Sequence, residues 1–234
     1  MATQRKLSID PTVRTEFGRR LRSWYRRNAR DLPWRRTRSP YEVLVSELML
    51  QQTQVSRVVT RYGEFLGEFP TLADVARAKS ARVTEAWEGL GYYARARNLH
   101  RLAVEVTAGG REPDRQLPED PAALRALPGI GAYTAGAVAS FAYERRAALV
   151  DTNVARVLRR VFAPSIDAKT TKGQRRLWQI AESILPRTGR STWTHNQAIM
   201  ELGALVCTAR VAHCDRCPVR LVCRSAKPAP RDPT

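Results

Sequence analysis

"LPGIGAYTAGAVA", residues 127–139, is the stretch on which the reading of this chain turns. Pro128 fixes the entry to a turn, and Gly129 and Gly131 bracket Ile130, both free to take positive φ and neither carrying a Cβ. A run of small residues with helical character follows. Backbone built this way suits a very close approach. The unpaired N–H groups at the start of the following helix point back into the turn and form a neutral cradle suited to one phosphate. The G-K-[ST] ending of a nucleotide-binding loop is missing. An ordinary tight connection between two helices would use the same glycines, so the rest of the chain has to separate the two readings.

Helical punctuation recurs on both sides. Segments of roughly 10–20 residues, the length of ordinary globular helices, lie between Pro33, Pro40, Pro70, the Gly89–Gly91 turn, Gly109–Gly110, Pro118, Pro121, Pro128 and Pro164. Leu44, Leu48, Val55 and Val59 step by four, seven and four, the stripe of an amphipathic helix. The best strand signal, "RAALVD" at 146–151, is too short to make a sheet. The expected class is all-α, with disordered tails at 1–10 and 226–234.

The 234 residues carry 40 Lys+Arg against 22 Asp+Glu, formally +18, and almost all of the cations are arginine. Arginine's planar fork suits bidentate contact with phosphate. A genome rich in G and C would also choose arginine over lysine, but would not create the net excess. That excess points to a polyanion, nucleic acid foremost. In this setting the glycine turn reads as a helix–hairpin–helix clamp on a DNA strand, gripping backbone and conferring little sequence preference. Affinity for any duplex is then expected to fall by orders of magnitude between ~50 and 200 mM salt if about six or more phosphates are contacted. No stretch approaches the ~18 apolar residues of a membrane span. The start, MATQRKLSIDP, lacks the apolar core of a signal peptide. The expected location is cytoplasmic, with the nucleoid, and without a membrane partner.

All four cysteines fall between 207 and 223, leaving none to staple the remainder of the chain, so a disulfide framework is not expected. The spacing Cys207-x6-Cys214-x2-Cys217-x5-Cys223 contains a single C-x2-C, whereas structural zinc sites more often use two close pairs. Four unevenly spaced thiolates in one loop suit a [4Fe–4S] cube. Zinc and free thiols remain the alternatives. Arg210, His213, Arg216, Arg220 and Arg224 would make the surrounding loop basic, which gives the cluster a structural role.

Two acids stand out. In "VSELMLQQTQV" Glu47 borders the apolar stripe, where a partly desolvated carboxyl holds its proton more readily and favours a proton donor; a surface glutamate pairing with an arginine is the plain alternative. Asp151 follows "AALV" and precedes "TNVARVLRRV", the place of a helix N-cap. Hydrogen bonds from the helix start would keep it ionised, which is what a developing sugar cation needs. One neutral and one anionic carboxyl are the pair that glycosidic cleavage uses.

With these residues in view, "SELMLQQTQV", "GLGYYARARNLH", "LPGIGAYTAGAV", "VDTNVARVL" and "NQAIMELGALVC" with the cysteine tail resemble adenine DNA glycosylases of the MutY type, within the endonuclease III group of helix–hairpin–helix glycosylases. The similarity runs from about Trp24 to Cys223. It implies a two-part helical fold: a six-helix barrel over about 36–142 carrying the hairpin, and an iron–sulfur part built from 11–35 with 143–225. Double-stranded DNA holding a mismatch or lesion would lie between them, with the target nucleotide flipped out, and the protein would act as a monomer. The resemblance implies that Glu47 protonates adenine at N7, that Asp151 stabilises the oxocarbenium ion, and that Asn153 orients that chemistry. Gln52, Thr53, Leu90 and Tyr92 match contacts at the mismatch, with Tyr92 wedged into the stack, while Gly129 and Gly131 grip backbone. Arg35 and Gln197 would line the base pocket, and the four cysteines would hold the [4Fe–4S] cluster.

Relatives that also nick the strand carry a lysine at the position of Tyr133, where it forms a Schiff base. A phenol cannot, so Tyr133 implies a monofunctional enzyme that leaves an abasic site, its hydroxyl free to bond Asp151 or the sugar. Full-length adenine glycosylases usually add a C-terminal NUDIX-like domain that helps recognise 8-oxoguanine, and this chain ends eleven residues after Cys223. The expected activity is removal of adenine opposite guanine or 8-oxoguanine. The rivals are a thymine or uracil glycosylase for G·T and G·U mismatches, a bifunctional glycosylase/lyase, and a non-catalytic DNA-binding protein.

Overall fold

Most helix starts among the described residues are set by capping side chains. In the computed structural model, which describes residues 9–108 and 117–226, Asp10, Ser39, Thr71, Asp120, Asp151, Thr170 and Thr188 each accept a hydrogen bond from a backbone N–H of the turn that follows. The helices are α1 (Pro11–Asn28), α2 (Pro40–Leu50), α3 (Val55–Glu68), α4 (Leu72–Arg77), α5 (Ser80–Glu85), α6 (Ala94–Thr107), α7 (Pro121–Arg125), α8 (Ala132–Phe141), α9 (Thr152–Phe162), α10 (Thr171–Ser183) and α11 (Gly189–Leu205). Among the described residues the only β pairing is an isolated bridge between Cys207 and Ala212. The class is all-α. Of the expected tails, residues 1–8 and 227–234 lie outside the described residues, as does the Gly109–Gly110 punctuation. Ile9 and Asp10 are described, and Asp10 caps α1.

The chain divides into two compact units, Asp31–Tyr143 and Met1–Arg30 with Glu144–Thr234. In the first, α2 is the central element: every side chain from Val43 to Met49 is buried. It packs on α3 and α8, while α4 and α5 pack on α6 and α7 on α8. The stripe expected through Leu44, Leu48, Val55 and Val59 is not one helix. α2 stops at Leu50, the chain turns at Gln52 with φ +56°, and α3 begins with a new rotational phase. Val59 is therefore exposed, and the core face of α3 is Val58, Tyr62 and Phe65.

In the second unit α1 and α9 both pack on α11, and α10 packs on α9. Phe17, Leu21 and Tyr25 repeat every four residues along α1 and are buried, with the Phe17 and Phe162 rings edge to face at 4.9 Å. Glu201, fully buried on α11, accepts from the Arg30 backbone N–H (2.8 Å) and from its guanidinium at 3.0 and 2.8 Å. Breaking such a buried pair from one side typically costs about 3–5 kcal/mol. The segment "RAALVD" runs as irregular extended chain: Asn196 donates to the Ala147 carbonyl at 2.9 Å, and the backbone of Glu144 lies where any Cβ on Gly189 would stand.

Candidate functional site

The structure sorts the sequence-derived site residues into local groups, each inside one unit. In the first unit, Glu47 lies on α2 at 4% exposure and Tyr133 lies in the first turn of α8, the helix that follows the glycine turn. The Tyr133 hydroxyl donates to Glu47 Oε2 at 2.8 Å. Four residues on, at the C-cap of α2, Gln51 donates to Thr134 Oγ1 at 3.3 Å. The sequence directed the phenol to Asp151 or a sugar; its partner within this unit is the other acid. Glu47 is thus not on the surface. It is a buried carboxyl whose orientation the hairpin helix helps to fix.

The two hairpin glycines have different reasons to be glycine. Gly129 has φ +75°, and a Cβ there would stand 2.6 Å from Asn98 Cβ on α6. Gly131, the residue before α8, has φ −86°, so the positive φ open to it is not used, and a Cβ on it would meet no protein atom within 4 Å. Both glycines and Ala126 are exposed, Ile130 is buried beneath them, and no side chain caps α8. Its first N–H groups face the turn without a side-chain acceptor, the arrangement an approaching anion needs.

Gln52 and Tyr92 form exposed tips. Gln52 has φ +56° and Tyr92 φ +47°, with Tyr92 60% exposed and framed by Gly89 and Gly91, both at positive φ. Leu90 is buried beneath, and the Thr53 hydroxyl donates to its carbonyl at 3.1 Å. Arg95, which sequence reasoning did not single out, joins the two tips. Its Nη1 donates to the carbonyls of Leu48 (2.7 Å), Met49 (2.8 Å) and Gln51 (2.6 Å), and its Nη2 to those of Leu90 (3.0 Å) and Gly91 (2.7 Å) and to Thr53 Oγ1 (3.1 Å). A signal existed in the sequence: an arginine in the first turn of a helix opposes the macrodipole unless its charge is used elsewhere.

In the second unit, Asp151 is the N-cap of α9, its Oδ1 accepting from the Val154 N–H at 2.6 Å and its Oδ2 from Asn153 Nδ2 at 3.2 Å. These bonds favour the anion, but they are not the largest influence on the carboxyl. Burial is the largest influence and raises its pKa, with the hydrogen bonds and Arg156 opposing. Asp151 borders an open hollow of about 530 Å³ whose walls include Arg156, Arg159, Lys169 and Gln174. Arg156 also donates to Asn153 Oδ1 (2.7 Å) and to the carbonyls of Gly203 (2.8 Å) and Cys207 (2.8 Å), so Asn153 is held from both ends. Gly203, a glycine inside α11, permits the approach: a Cβ there would lie 2.8 Å from Asn153 Cβ. Gln197 is buried on α11, and Arg35 is half-buried in the first unit at the end of the short 3-10 turn Pro33–Arg35.

Cys207, Cys214, Cys217 and Cys223 are half-buried free thiols that line one cavity of about 180 Å³ together with Arg160 and His213. Burial, with the other three thiols adding, pushes Cys217 up to about 11, and burial raises Cys223 as well. Four sulfurs so placed become thiolates readily only around a cationic group. Four thiols lining one cavity are a donor set that a four-thiolate iron–sulfur cube would fit. Arg160 Nη1 lies 3.3 Å from Cys207 Sγ, a positive neighbour for such a group.

Comparison with known proteins bears on these groups together. The chain is 43% identical over 220 residues to a human adenine DNA glycosylase and 46% identical over 200 residues to one from Mycolicibacterium smegmatis, with 90% and 85% of this chain covered. It spans 39% of the length of the human relative and 66% of the mycobacterial one. The fold matches the structure of a thermostable thymine-DNA glycosylase with a TM-score of 0.82 at 27% identity, covering 92% of this chain and 97% of that one. It also matches a non-covalent endonuclease III–DNA complex with a TM-score of 0.75 at 21% identity, covering 94% and 97%. Residues 45–183, which begin just before Glu47 and contain the glycine turn and Asp151, match the model of one family, and the chain belongs to it: the HhH-GPD superfamily of base excision DNA repair proteins.

Proposed function

We propose that this protein is a monofunctional DNA glycosylase that removes adenine mispaired with guanine or 8-oxoguanine, leaving an abasic site. The observation that carries the reading is the Glu47–Tyr133 pair: a buried carboxyl held at the head of the hairpin helix by a phenol, a group that cannot form a Schiff base with the sugar. The named relatives, adenine glycosylases over 85–90% of this chain, support the choice of base.

In this mechanism Glu47 delivers its proton to N7 of the flipped adenine, so that the C1′–N9 electron pair departs with a neutral base. The positive charge left on the sugar is stabilised by Asp151, oriented by Asn153, and water adds to C1′ while its proton returns to a carboxylate. The raised pKa of Asp151 reflects a carboxylate kept from water, where its charge acts through a lower dielectric. Gln52 and Tyr92 enter the mismatch, and the Gly129–Gly131 turn binds one strand's backbone. Cys207, Cys214, Cys217 and Cys223 would hold a [4Fe–4S] cluster, which supplies the fixed shape and charge of a basic DNA-facing loop. The protein acts as a monomer on duplex DNA.

One observation favours a second reading, excision of a mismatched pyrimidine: the close structural likeness to a thymine-DNA glycosylase. Single-turnover cleavage of labelled duplexes carrying A·8-oxoguanine, A·G, T·G and U·G, with and without hot alkali, separates the two. Alkali-dependent cleavage of the adenine strand, lost in Glu47→Gln and Asp151→Asn, is expected. Cleavage confined to T or U would refute the adenine reading, and cleavage without alkali would refute the monofunctional one.

A further inference from the structure

The guanidinium of Arg95 is buried, has no carboxylate partner among the described residues, and yet makes seven polar contacts, all to backbone carbonyls or to one hydroxyl. The acceptors come from two places. Leu48 and Met49 in the last turn of α2 and its C-cap Gln51 lie where carbonyls lose their helical partners and carry the negative end of the helix dipole. Leu90, Gly91 and Tyr92 are the loop that enters α6. Thr53 closes the ring, accepting from Arg95 and donating to Leu90. Each half ends in a non-glycine residue in the left-handed region, Gln52 on one side and Tyr92 on the other. Such conformations persist only where the surroundings over-determine them. The cation also sits 5.6 Å from the Tyr92 ring centroid and 5.7 Å from that of the buried Trp87, so it bears on the side chain of the tip as well as its backbone.

We propose that Arg95 is a positioning residue that locks the Gln52 tip and the Tyr92 tip into one rigid two-pronged reader, so that the two enter a duplex together. This rests on the reading above, in which both tips touch DNA. A planar fork with five donors can hold carbonyls on two loops at once; a lysine ammonium, a compact point charge, cannot span them. Non-specific duplex binding depends on cations spread over the surface and does not need the lock. Discrimination between mismatched and matched duplexes does, because a loosened aromatic loses its stacking advantage.

The test measures equilibrium binding by anisotropy on two duplexes, one matched and one carrying 2′-fluoro-deoxyadenosine opposite guanine, whose glycosidic bond resists cleavage. A 2-aminopurine beside the mismatch reports unstacking. Arg95→Lys, folded by circular dichroism, is expected to keep matched-duplex affinity, to lose roughly tenfold in mismatch preference, the scale of one base–aromatic stack, and to lose the fluorescence rise. Arg95→Lys combined with Tyr92→Ala should discriminate no worse than Tyr92→Ala alone. A folded Arg95→Lys with wild-type discrimination, or losses that multiply in the double variant, overturns the proposal. If Tyr92→Ala and Gln52→Ala each discriminate like wild type, the premise that the tips read DNA is what fails. Should Arg95→Lys not fold, Thr53→Val and Thr53→Ser replace it: loss in the valine variant with rescue in the serine variant supports the lock, and equal behaviour of the two refutes it.

Discussion

Replacing each glycine of the G-I-G turn by alanine should give opposite results. Gly129 sits at φ +75°, where a side chain costs ~1–2 kcal/mol. The new methyl would also stand 2.6 Å from Asn98 Cβ, an overlap that must displace α6 or the turn, at roughly 1–3 kcal/mol. Gly129→Ala is therefore expected to lose about 2–5 kcal/mol, a fall in Tm of roughly 4–20 °C for a chain of this size. Gly131 has φ −86° and open space around its Cβ position. There alanine loses a few tenths of a kcal/mol as a poorer cap and gains a similar amount by restricting the unfolded chain, so stability should stay within about 0.5 kcal/mol. The methyl instead occupies the space left for a phosphate. Loss of one charge-assisted backbone contact, ~1.5–3 kcal/mol, weakens duplex binding roughly ten- to a hundredfold. Thermal melts followed at 222 nm and anisotropy on a labelled duplex at fixed salt read the two effects separately. A Gly131→Ala variant as unstable as Gly129→Ala, or one that binds DNA like wild type, would refute this division of roles.

Tyr133→Phe removes a hydrogen bond to Glu47 that favours its anion, so the alkaline limb of the single-turnover pH–rate profile should move to higher pH; an unmoved limb would separate the pair from the chemistry. Asp151→Asn should abolish cleavage and yet raise the Tm at pH 7, since asparagine also caps a helix and the buried charge is gone. Because the folded pKa of Asp151 is raised, that gain must shrink as pH falls through it toward 3.8, and urea titrations at pH 7 and 4 would show it. Burial, with Arg22 adding, pushes the pKa of His195 down to about 3. The unfolded chain takes up its proton near 6.5, so stability should fall below that pH by up to ~1.4 kcal/mol per unit, and His195→Gln should flatten this limb. An acid limb of unchanged slope would exclude His195 as its source.

Much of the site was legible one residue at a time. Asp151 announces its cap by preceding a helical run, the cysteine spacing announces a shared ligand group, and the glycine turn announces a close approach. These are local signals, carried by covalent neighbours. The continuous stripe through residues 44–59 was misleading because periodicity is blind to a change of phase, and a four-residue turn resets it. The surroundings of Asp151 show a related limit. Capping bonds can be read from sequence, but desolvation depends on what folds over the carboxyl.

The sequence by itself determined the all-α class, the basic character and the chemical kinds present: a buried-edge acid, a capping acid, a phenol where an amine would be needed to nick, and four thiols. Only the tertiary structure decided who meets whom. Tyr133 and Glu47 are 86 residues apart in the chain and share a hydrogen bond. Arg95 reaches back across more than forty residues to the end of α2, and Arg156 across about fifty to Gly203 and Cys207. Such pairings are properties of helix packing: α2 and α8, or α9 and α11, set the contact, and no local propensity encodes it. The roles of these residues follow from three-dimensional adjacency, which a one-dimensional pattern constrains but does not contain.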